Sequence, residues 1–544
     1  MTAFQQELGP SDRAAMEQMK LDDSHIAPKY QGTEADKRHM DILGRSQETR
    51  RMFTFISMLG FGSTLIVTWE TLLTNSFAII TNGGTAGLFW GFVIVFGGFL
   101  FVYASIAELS SMAATSGGQY HWKVSEFAHP RVQRYLSFPT GWLAIAGWQG
   151  GITGIGMLVA TIIQGLITLK YPDYVAQGWH GTLITMGVVG FCVGFNTYGA
   201  RQLPLVEASL ALLHFGGMFV IIIILWTLAP RNNPYSAFFH INNGGGWASD
   251  GLSLLVGLYS LTVSLNGFDS QVHMSEETKD ATRAMPRAIM WSTYINGFLG
   301  FVMAITMIFT LGDLDEILAT ATGYPFIQVF FNVTKSHVGT TLMTVLILLP
   351  LLGSVIACVA TASRQIWSFA RDEGVPFSST VRYVPPHWSI PISAILVSLV
   401  ICILLSLINI GSAVALNAIL ALGTGSILAS YLICISCITV KRLRGETLPP
   451  RNWYGLQILM VKEPTLTISR SLGRWGLPIN VIALCWLAPI FVFIQFPGVT
   501  PTTAKSMNFS SLLIGFVVIF ATIYYLVKGR KVYVSPKERL HRVE

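Results

Sequence analysis

Charged residues are scarce in this sequence. Asp, Glu, Lys and Arg together make up 12% of its 544 residues, whereas hydrophobic residues make up 52%. An ordinary soluble domain has about 25% charged residues. With a mean hydropathy of +0.55, the composition therefore excludes a soluble globular protein and predicts a chain that crosses a membrane many times.

Cysteine is also sparse, and the sequence carries no enzymatic motif. All six cysteines fall inside apolar segments, where free cysteines act as small hydrophobic residues. Their placement argues against a disulfide framework and against a metal site. Because the sequence has no P-loop, no zinc-ligand spacing and no nucleophile elbow, it predicts neither an enzyme nor a bound cofactor.

Twelve apolar segments are each close to the length of about 20 residues that a helix needs to cross a bilayer. They predict an all-α polytopic membrane protein with twelve transmembrane helices, of which the fourth is the shortest. The predicted segments are Phe53–Ile80, Leu88–Ser111, Gly141–Leu169, Gly181–Phe195, Leu205–Leu228, Leu252–His273, Ala288–Leu311, Thr340–Ser363, Ile392–Ile408, Val414–Val440, Pro478–Phe496 and Phe509–Leu526.

Basic residues are distributed unequally between the loops. With twelve spans both ends of the chain lie on one side, whose inter-span loops hold 17 Lys and Arg residues, against four in the opposite loops. Since basic loops stay in the cytoplasm, both termini are predicted to be cytoplasmic. The net charge of +7 belongs to these short loops beside membrane lipid and does not indicate a nucleic-acid partner.

Three features outside the spans complete the topology. Residues 1–51 have mixed charge and no apolar run, which predicts a disordered cytoplasmic tail. Residues 527–544 form a short basic tail suited to the inner membrane surface. The triplet Asn332-Val333-Thr334 lies in an outward loop, so Asn332 is a predicted glycosylation site.

Two of the apolar segments are interrupted by glycine at corresponding places in the two halves of the chain. The first breaks at LGFGS, residues 59–63, and the sixth at NGFDS, residues 266–270. Unwound backbone survives at membrane depth only where it lines a cavity or meets a ligand. Paired breaks of this kind are the sequence pattern of a transporter's binding site near the bilayer midplane.

Four strings carry a family resemblance: AELSS at 107–111, GGQYHW at 117–122, FDSQVHMSEE at 268–277 and SRQIWSFARDEGVP at 363–376. Together they resemble the fungal amino acid/choline transporter family, in particular its GABA-permease-like branch, within the amino acid–polyamine–organocation superfamily. The resemblance covers roughly residues 50–530. It implies alternating access by a five-plus-five inverted repeat with broken helices 1 and 6, followed by two extra helices.

The resemblance also divides the chain. It implies a transport core of ten helices over residues 52–440, a cytoplasmic loop over 441–477 and helices 11 and 12 within 478–526. Family members run from LPPRNW (448–453) almost directly into SLGRWG (471–476), whereas residues 454–470 intervene here. This stretch is either an insertion in the loop or a retained intron in the gene model.

The two breaks predict complementary halves of a substrate site. Amides freed at the first break would bind a carboxylate, and carbonyls freed at the second would bind an ammonium, with Phe268 as a gate. Glycines are also frequent in membrane helices because they permit close packing, which is the structural alternative. The predicted substrate-binding residues are Gly60, Phe61, Gly62, Ser63, Leu265, Asn266, Gly267, Phe268 and Asp269.

Ionisable residues within spans are rare and are expected to be functional. Asp269 is one of three acidic residues deep within the spans, together with Glu70 and Glu207, and its alternative role is a structural hydrogen bond. His214 lies where some bacterial relatives carry a lysine in place of a sodium ion. His214 and Asp269 are the predicted proton-coupling residues. Histidine titrates near neutral pH, and a carboxylate within a span is expected to be functional.

Two further clusters of residues each allow two roles. His273, Glu276 and Glu277 lie near Lys279, Arg283 and Arg287, where they form either gate-closing ion pairs or a solvated charge run. Trp69, Trp142, Trp148 and Trp291 would form a cation–π cage if the substrate were choline-like, although aromatic residues at membrane depth mostly pack or face lipid.

The sequence therefore predicts a plasma-membrane permease that imports an amino acid such as GABA, or a related amine, by proton symport. A choline or polyamine permease is the alternative within this class, and the vacuolar membrane is the alternative location. A receptor that binds amino acids without transporting them is the alternative from another class. The predicted partners are the small substrate, protons and membrane lipid.

Overall fold

The computed structural model describes residues 26–43, 45–124, 128, 132–411, 414–446, 448, 472–504 and 506–534. Within these residues twelve helices are long and apolar enough to cross a membrane, which confirms the predicted number. We call them spans 1 to 12. They are Phe55–Thr74, Ser76–Met112, Gln133–Lys170, Gly178–Tyr198, Ala200–Leu228, Asp250–His273, Ala281–Thr310, His337–Arg371, Ile392–Gly411, Ala415–Leu443, Gly473–Phe493 and Ser510–Val532.

The span boundaries differ from the prediction mainly by extension. Span 4 runs over Gly178–Tyr198, longer at both ends than the predicted Gly181–Phe195. One shorter helix, Glu34–Ile42, precedes span 1. Others occupy connections between spans, and they are Pro234–Phe239, Leu314–Leu318, Pro325–Thr334 and Ser378–Val381. Residues 454–470, the predicted doubtful insertion, lie outside the described residues.

Spans 1 and 6, the first of each half, are both broken. Span 1 consists of Phe55–Ile66 and Thr68–Thr74, and span 6 of Asp250–Leu265 and Ser270–His273. Span 1 packs on span 7, and span 6 packs on span 2. In a five-plus-five repeat, span 1 corresponds to span 6 and span 2 corresponds to span 7. The contact of span 1 with span 7 therefore corresponds to the contact of span 6 with span 2, as an inverted repeat requires.

Spans 3 and 10 approach each other closely through glycine. A Cβ atom added to Gly150 would lie 2.9 Å from the Cα atom of Gly423, and one added to Gly147 would lie 2.5 Å from a side-chain atom of Ile427. Small residues let helix backbones come together in a membrane, where van der Waals packing replaces the hydrophobic effect. Spans 11 and 12 pack on the outside, with Trp486 of span 11 seated over Gly98 of span 2.

Both ends of the described chain lie on one side of the bundle, which we call the terminal face. Near the first end, the amide of Lys279, which follows span 6, donates to the carbonyl of Phe53 over 2.9 Å. At the other end, the amide of Val534 donates to the carbonyl of Asp372, which follows span 8, over 3.2 Å. The predicted disordered tail differs from the structure over residues 26–43 and 45–51, whereas residues 1–25 lie outside the described residues. Glu34–Ile42 is a helix with a capping box at Thr33, and Arg45 and Arg51 are buried.

Candidate functional site

The break in span 6 is held open by a tyrosine from span 2. The hydroxyl of Tyr103 donates to the carbonyl of Leu265 over 2.7 Å and accepts from the amide of Gly267 over 2.9 Å. Gly267 has φ +112, a conformation that side chains rarely adopt. Tyr103 therefore replaces hydrogen bonds that a continuous helix would supply, which keeps the unwound backbone satisfied at membrane depth.

The break in span 1 lies at Val67 and not at the predicted glycines. Val67 has φ 43 and ψ 54, and a left-handed β-branched residue persists only where its surroundings enforce it. The hydroxyl of Thr71 donates to the carbonyl of Val67 over 2.9 Å. The hydroxyl of Ser354 in span 8 donates to the carbonyl of Leu65. Hydroxyl groups therefore satisfy the carbonyls beside this break.

The two breaks and the glycine interface of spans 3 and 10 enclose a cavity of about 70 Å³, which we call the central cavity. None of the residues lining it is charged. The Oδ1 atom of Asn266 and the Nε1 atom of Trp148 have no hydrogen-bond partner among the described residues. The lining residues include Leu65, Ile66, Thr71, Asn75, Gly147, Trp148, Gly151, Asn266, Gly267, Gly423 and Thr424.

The predicted residues of the sixth span separate into two groups. Asn266 and Gly267 line the central cavity. The carbonyl of Leu265 is occupied by Tyr103. The ring of Phe268 is fully buried and packs edge-on against Tyr103, with ring centroids 5.1 Å apart. Leu265 and Phe268 therefore stabilise the break through their contacts with Tyr103. In this conformation Phe268 does not line the cavity.

The prediction that span 1 unwinds at Gly60–Ser63 is wrong. These residues are helical within Phe55–Ile66, and the hydroxyl of Ser63 donates to the carbonyl of Leu59 over 2.9 Å. A Cβ atom on Gly62 would lie 1.6 Å from the Nε2 atom of Gln271, whereas one on Gly60 would meet nothing within 4 Å. Gly62 thus permits close packing of spans 1 and 6, which is the structural alternative.

Phe61 also has a packing role. Its ring is fully buried and meets the ring of Phe53 edge-on, with centroids 5.8 Å apart. Phe53 in turn pairs through its backbone with Glu277 and Lys279 of the segment before span 7. None of the four predicted residues of span 1 lines the central cavity, which is instead lined by Leu65 and Ile66 one turn further along.

Asp269 lies in a hydrogen-bond network behind the break. The amide of Gln119 and the hydroxyl of Tyr431 both donate to its carboxylate, and the Nε2 atom of His273 is 3.6 Å away. Asp269 does not line the central cavity. This environment matches the alternative role of a structural hydrogen bond, because the contacts join span 6 to span 10 and to the loop after span 2.

His214 in span 5 pairs with Glu70 in the second half of span 1. Its Nδ1 atom is 2.7 Å from Glu70 Oε1, and its backbone carbonyl accepts from the indole nitrogen of Trp69 over 3.1 Å. Glu207, two turns earlier in span 5, accepts from the hydroxyl of Thr64. The Nε2 atom of His214 and one carboxylate oxygen of each glutamate have no partner among the described residues.

Buried ion pairs seal the terminal face below the central cavity. Arg45 contacts Asp372 at 2.9 Å, Arg364 contacts Glu277 at 2.8 Å, and Arg371 pairs with Glu276. Glu276 and Glu277 therefore do form ion pairs, but with cations from span 8 and the N-terminal segment. The predicted partners lie elsewhere, since Arg283 and Arg287 are exposed and Lys279 donates to a backbone carbonyl.

The charges of this seal are stabilised by one another. Burial by itself raises the pKa of Glu276, but the guanidinium groups of Arg371 and Arg45 outweigh burial and lower that pKa to about 2. Burial lowers the pKa of Arg45, yet the carboxylates of Asp372 and Glu276 raise it above its ordinary value. Glu276 and Arg45 therefore remain charged across the physiological pH range.

The four tryptophans proposed for a cation–π cage have different surroundings. Trp148 lines the central cavity, and the indole nitrogen of Trp69 donates to the backbone carbonyl of His214. Trp142 packs edge-on against Phe520, with centroids 5.0 Å apart, and Trp291 is 54% exposed on the outside of the bundle. Only Trp148 is placed to meet a cation in the central cavity.

Asn332 lies on the side of the bundle opposite the terminal face, in the helix Pro325–Thr334 between spans 7 and 8. Its Nδ2 atom donates to Glu316 over 2.9 Å. A glycan on this atom would displace that hydrogen bond, and glycosylation of Asn332 stays a prediction.

Tyr103, Tyr431 and Arg45 are not predicted by the sequence. Tyr103 and Tyr431 are single hydroxyl-bearing aromatic residues in apolar spans, and nothing in their spacing marks them. Gln119 stands within the GGQYHW string, so the resemblance supplied a signal for it. Arg45 was assigned to a tail, because a short charged segment gives no periodic pattern by which a docked structure could be recognised.

Known proteins match most of the chain. The model of a family described as amino acid permease matches residues 53–519. The chain is 29% identical over 484 residues to a choline transporter of Saccharomyces cerevisiae, covering 89% of this chain and 82% of that protein. It is 28% identical over 455 residues to a putative amino acid/polyamine transporter of Macrophomina phaseolina, covering 84% and 97%.

A plant protein shows how far the similarity extends. The chain is 24% identical over 515 residues to an amino-acid permease of Arabidopsis thaliana, covering 91% of this chain and 95% of that protein. The family match over residues 53–519 takes in all the spans that carry the breaks, the cavity and the ion pairs. The similarity therefore concerns the whole helical bundle and not one motif.

Proposed function

We propose that this chain, which belongs to the amino acid permease family, imports GABA or a closely related amino acid by proton symport. As a class of protein, it is a multi-pass membrane transporter for amino acids or amines, and not an enzyme. The observation that carries the proposal is the central cavity, which both helix breaks line. A cavity between two interrupted helices is where transporters of this architecture hold their substrate.

The polar groups of the cavity fit a zwitterion with separated charges. The unpartnered Oδ1 atom of Asn266 can accept a hydrogen bond from an ammonium group. The amides that begin Thr68–Thr74 have no carbonyl of their own helix to bind, and they lie beside the helix end that favours a carboxylate. Because the lining has no charged side chain, the substrate is selected by backbone and amide dipoles.

Choline is the second candidate substrate, and one observation favours it. Trp148 lines the central cavity, and an indole ring attracts a quaternary ammonium over its face. A relative at 29% identity is named a choline transporter. Choline has no carboxylate, so it would leave the amides of the first break unused, whereas GABA would use both breaks.

Proton coupling is assigned to the pair of His214 and Glu70. The two side chains are fully buried and lie 2.7 Å apart, immediately after the break in span 1. A proton taken up here changes the charge beside the amides that would hold the substrate carboxylate. Asp269 is a weaker candidate, because its network with Gln119 and Tyr431 lies away from the cavity lining.

The terminal face is assigned to the cytoplasm of a protein in the plasma membrane. The support is the excess of basic residues in the loops of that side. The closed ion pairs then describe a conformation shut toward the cytoplasm. Tags at either terminus should be accessible only after the membrane is permeabilised, and an accessible tag on intact cells would contradict the assignment. Staining of the vacuolar membrane would favour the other location.

Uptake of a radiolabelled amine panel into a permease-deficient fungal host tests the proposal. We expect GABA to accumulate and an uncoupler to abolish its accumulation. Accumulation of choline in preference to GABA would favour the second candidate. Binding without accumulation would favour the receptor and overturn the transport proposal.

A further inference from the structure

A second cavity, of about 600 Å³, lies between spans 3, 8 and 9 and shares no lining residue with the central cavity. Trp142 and Ile366 contribute to its walls, as do Leu396 and Ile401 of span 9. The segment Val375–Val381, which follows span 8, borders it toward the terminal face. The volume is within the range of sites that enclose a small organic molecule, about 300–1,000 Å³.

The absence of charged side chains from this cavity limits the kind of ligand that it can bind. No residue lining it is charged. The nearest basic residue in sequence, Arg382, follows the bordering segment, and its guanidinium is neutralised by Glu373 at 2.7 Å. Recognition of an anionic lipid headgroup requires basic side chains at the membrane surface. A ligand with an uncharged head therefore fits this cavity better than an anionic lipid.

Two hydroxyl groups lie among the apolar walls. Thr380 and Ser393 both line the cavity, and neither side-chain hydroxyl has a hydrogen-bond partner among the described residues. Both belong to the end near the terminal face, since Ser393 stands in the first turn of span 9. From there the wall continues to Ile401, which at 1.5 Å per residue is about 12 Å deeper along the helix.

We propose that this cavity binds a membrane sterol. The sterol hydroxyl would reach Thr380 and Ser393, and its fused rings would lie along Leu396 and Ile401. The polar end of the cavity and its apolar depth match a molecule with one hydroxyl and a rigid hydrocarbon body. A rigid ring system also loses less conformational freedom on binding than a flexible acyl chain does.

The chain itself offers a competing occupant, namely the residues after Val534. The amide of Val534 donates to the Asp372 carbonyl over 3.2 Å, close in sequence to the bordering segment. However, five of the last ten residues of the chain are charged. Charged side chains are costly to bury in an apolar cavity, so this segment is a poorer match than a sterol.

The test is photolabelling of the purified full-length protein in phosphatidylcholine vesicles that contain a diazirine-bearing cholesterol analogue. We expect labelled peptides from Val375–Val381 and from the first half of span 9, and loss of this labelling with excess cholesterol. The variant Leu396→Trp fills the cavity and should remove the labelling. Leu404→Trp places the same ring on the same helix at a residue that is 60% exposed and outside the cavity, and should preserve it.

Each outcome bears on the proposal. Label spread evenly over exposed helix surfaces, or labelling that survives Leu396→Trp, would overturn it. Equal labelling by a phosphatidylcholine with a diazirine in its acyl chain, displaced equally by phosphatidylcholine, would identify an ordinary phospholipid and also overturn it. Size-exclusion profile and unfolding temperature report whether each variant folds. If Leu396→Trp does not fold, Val397→Phe replaces it, because Val397 also lines the cavity.

Discussion

The hydroxyl of Tyr103 joins two groups of span 6 that a continuous helix would have satisfied by itself. It accepts from the amide of Gly267 over 2.9 Å and donates to the carbonyl of Leu265 over 2.7 Å. Because it is fully buried, no water competes for these bonds. The open backbone beside Asn266 therefore depends on a residue from span 2, more than 150 positions earlier in the chain.

Replacing Tyr103 with phenylalanine should weaken substrate binding while the protein still folds. The ring and its packing remain, but an amide and a carbonyl lose a partner. An unsatisfied buried group costs about 1–3 kcal/mol, which corresponds to an increase in KM of about 5–150-fold. Uptake kinetics measure the change. Tyr259→Phe is the control, since that hydroxyl has no hydrogen-bond partner among the described residues. An unchanged KM for Tyr103→Phe would contradict the role.

The two glycines of span 1 should respond differently to substitution. Gly62→Ala should reduce uptake strongly, because its Cβ atom would displace Gln271 and with it the hydrogen bond from Gln271 to Ser292. Gly60→Ala should be tolerated, since nothing lies within 4 Å of its Cβ position. Adding Gln271→Ala to Gly62→Ala should restore part of the uptake. Equal loss in both single variants would support an unwound segment at these glycines instead.

Proton coupling should depend on His214 and Glu70 together. Uptake should fall as external pH rises, His214→Lys should bind substrate without pH-dependent accumulation, and Glu70→Gln should flatten the pH profile in the same way. Asp269→Asn should lower transport through its structural network and leave the shape of the profile unchanged. His337→Ala, at an exposed histidine, is the control. Full proton-driven accumulation in His214→Ala would move coupling to Glu207 or Asp269.

Trp148 should distinguish the two candidate substrates. Trp148→Leu removes the aromatic face from the central cavity, so transport of choline should fall by the value of a desolvated cation–π contact, about 2 kcal/mol or about 30-fold. GABA transport should change less. Trp291→Leu, on the exposed surface of span 7, is the matched control. Competition of unlabelled choline against labelled GABA provides the comparison, and equal effects on both substrates would contradict a cation–π role.

Docking of the N-terminal segment should weaken in mild acid. His39 accepts from the Ala114 amide over 3.1 Å, and burial, together with the neighbouring charge of Arg51, lowers its pKa from 6.5 to about 4. As pH falls below 6.5, the undocked histidine binds a proton that the docked one cannot hold. Docking should therefore lose about 1.4 kcal/mol per pH unit until about pH 4.

Hydrogen exchange over residues 26–43 measures this effect, with His39→Gln compared at each pH. Glutamine can accept the same hydrogen bond without titrating, so the variant should show no weakening between pH 6.5 and 5. The other charged groups that act on His39 are Asp36 and Glu276. Glu276, with its pKa lowered to about 2, stabilises the seal above its ordinary pKa and loses this effect only below about pH 4.5. Identical pH dependence in both proteins would rule out His39.

The number of spans followed from the sequence because apolar length is a local quantity. Segments of about 20 apolar residues must be helices in a bilayer, where each backbone group needs a partner within its own segment. The twelve spans were therefore predicted. Glycine marked the break in span 6, whereas the break in span 1 lies at Val67 and not at its glycines. Asn266 and Gly267, which the sequence predicts to bind substrate, line the central cavity, and Gly267 has the left-handed backbone of the break.

The positions of the partners were decided only by the tertiary structure. The break in span 1 lies at Val67 because Ser354 and Thr71 satisfy nearby carbonyls, whereas Gly62 is needed for contact with Gln271. Asp269 turned toward Tyr431, and Arg45 toward Asp372, through contacts more than 160 residues apart. A glycine permits both unwinding and close packing, and an ionisable residue permits both catalysis of transport and structural bonding. The neighbours supplied by distant spans determine which of these occurs.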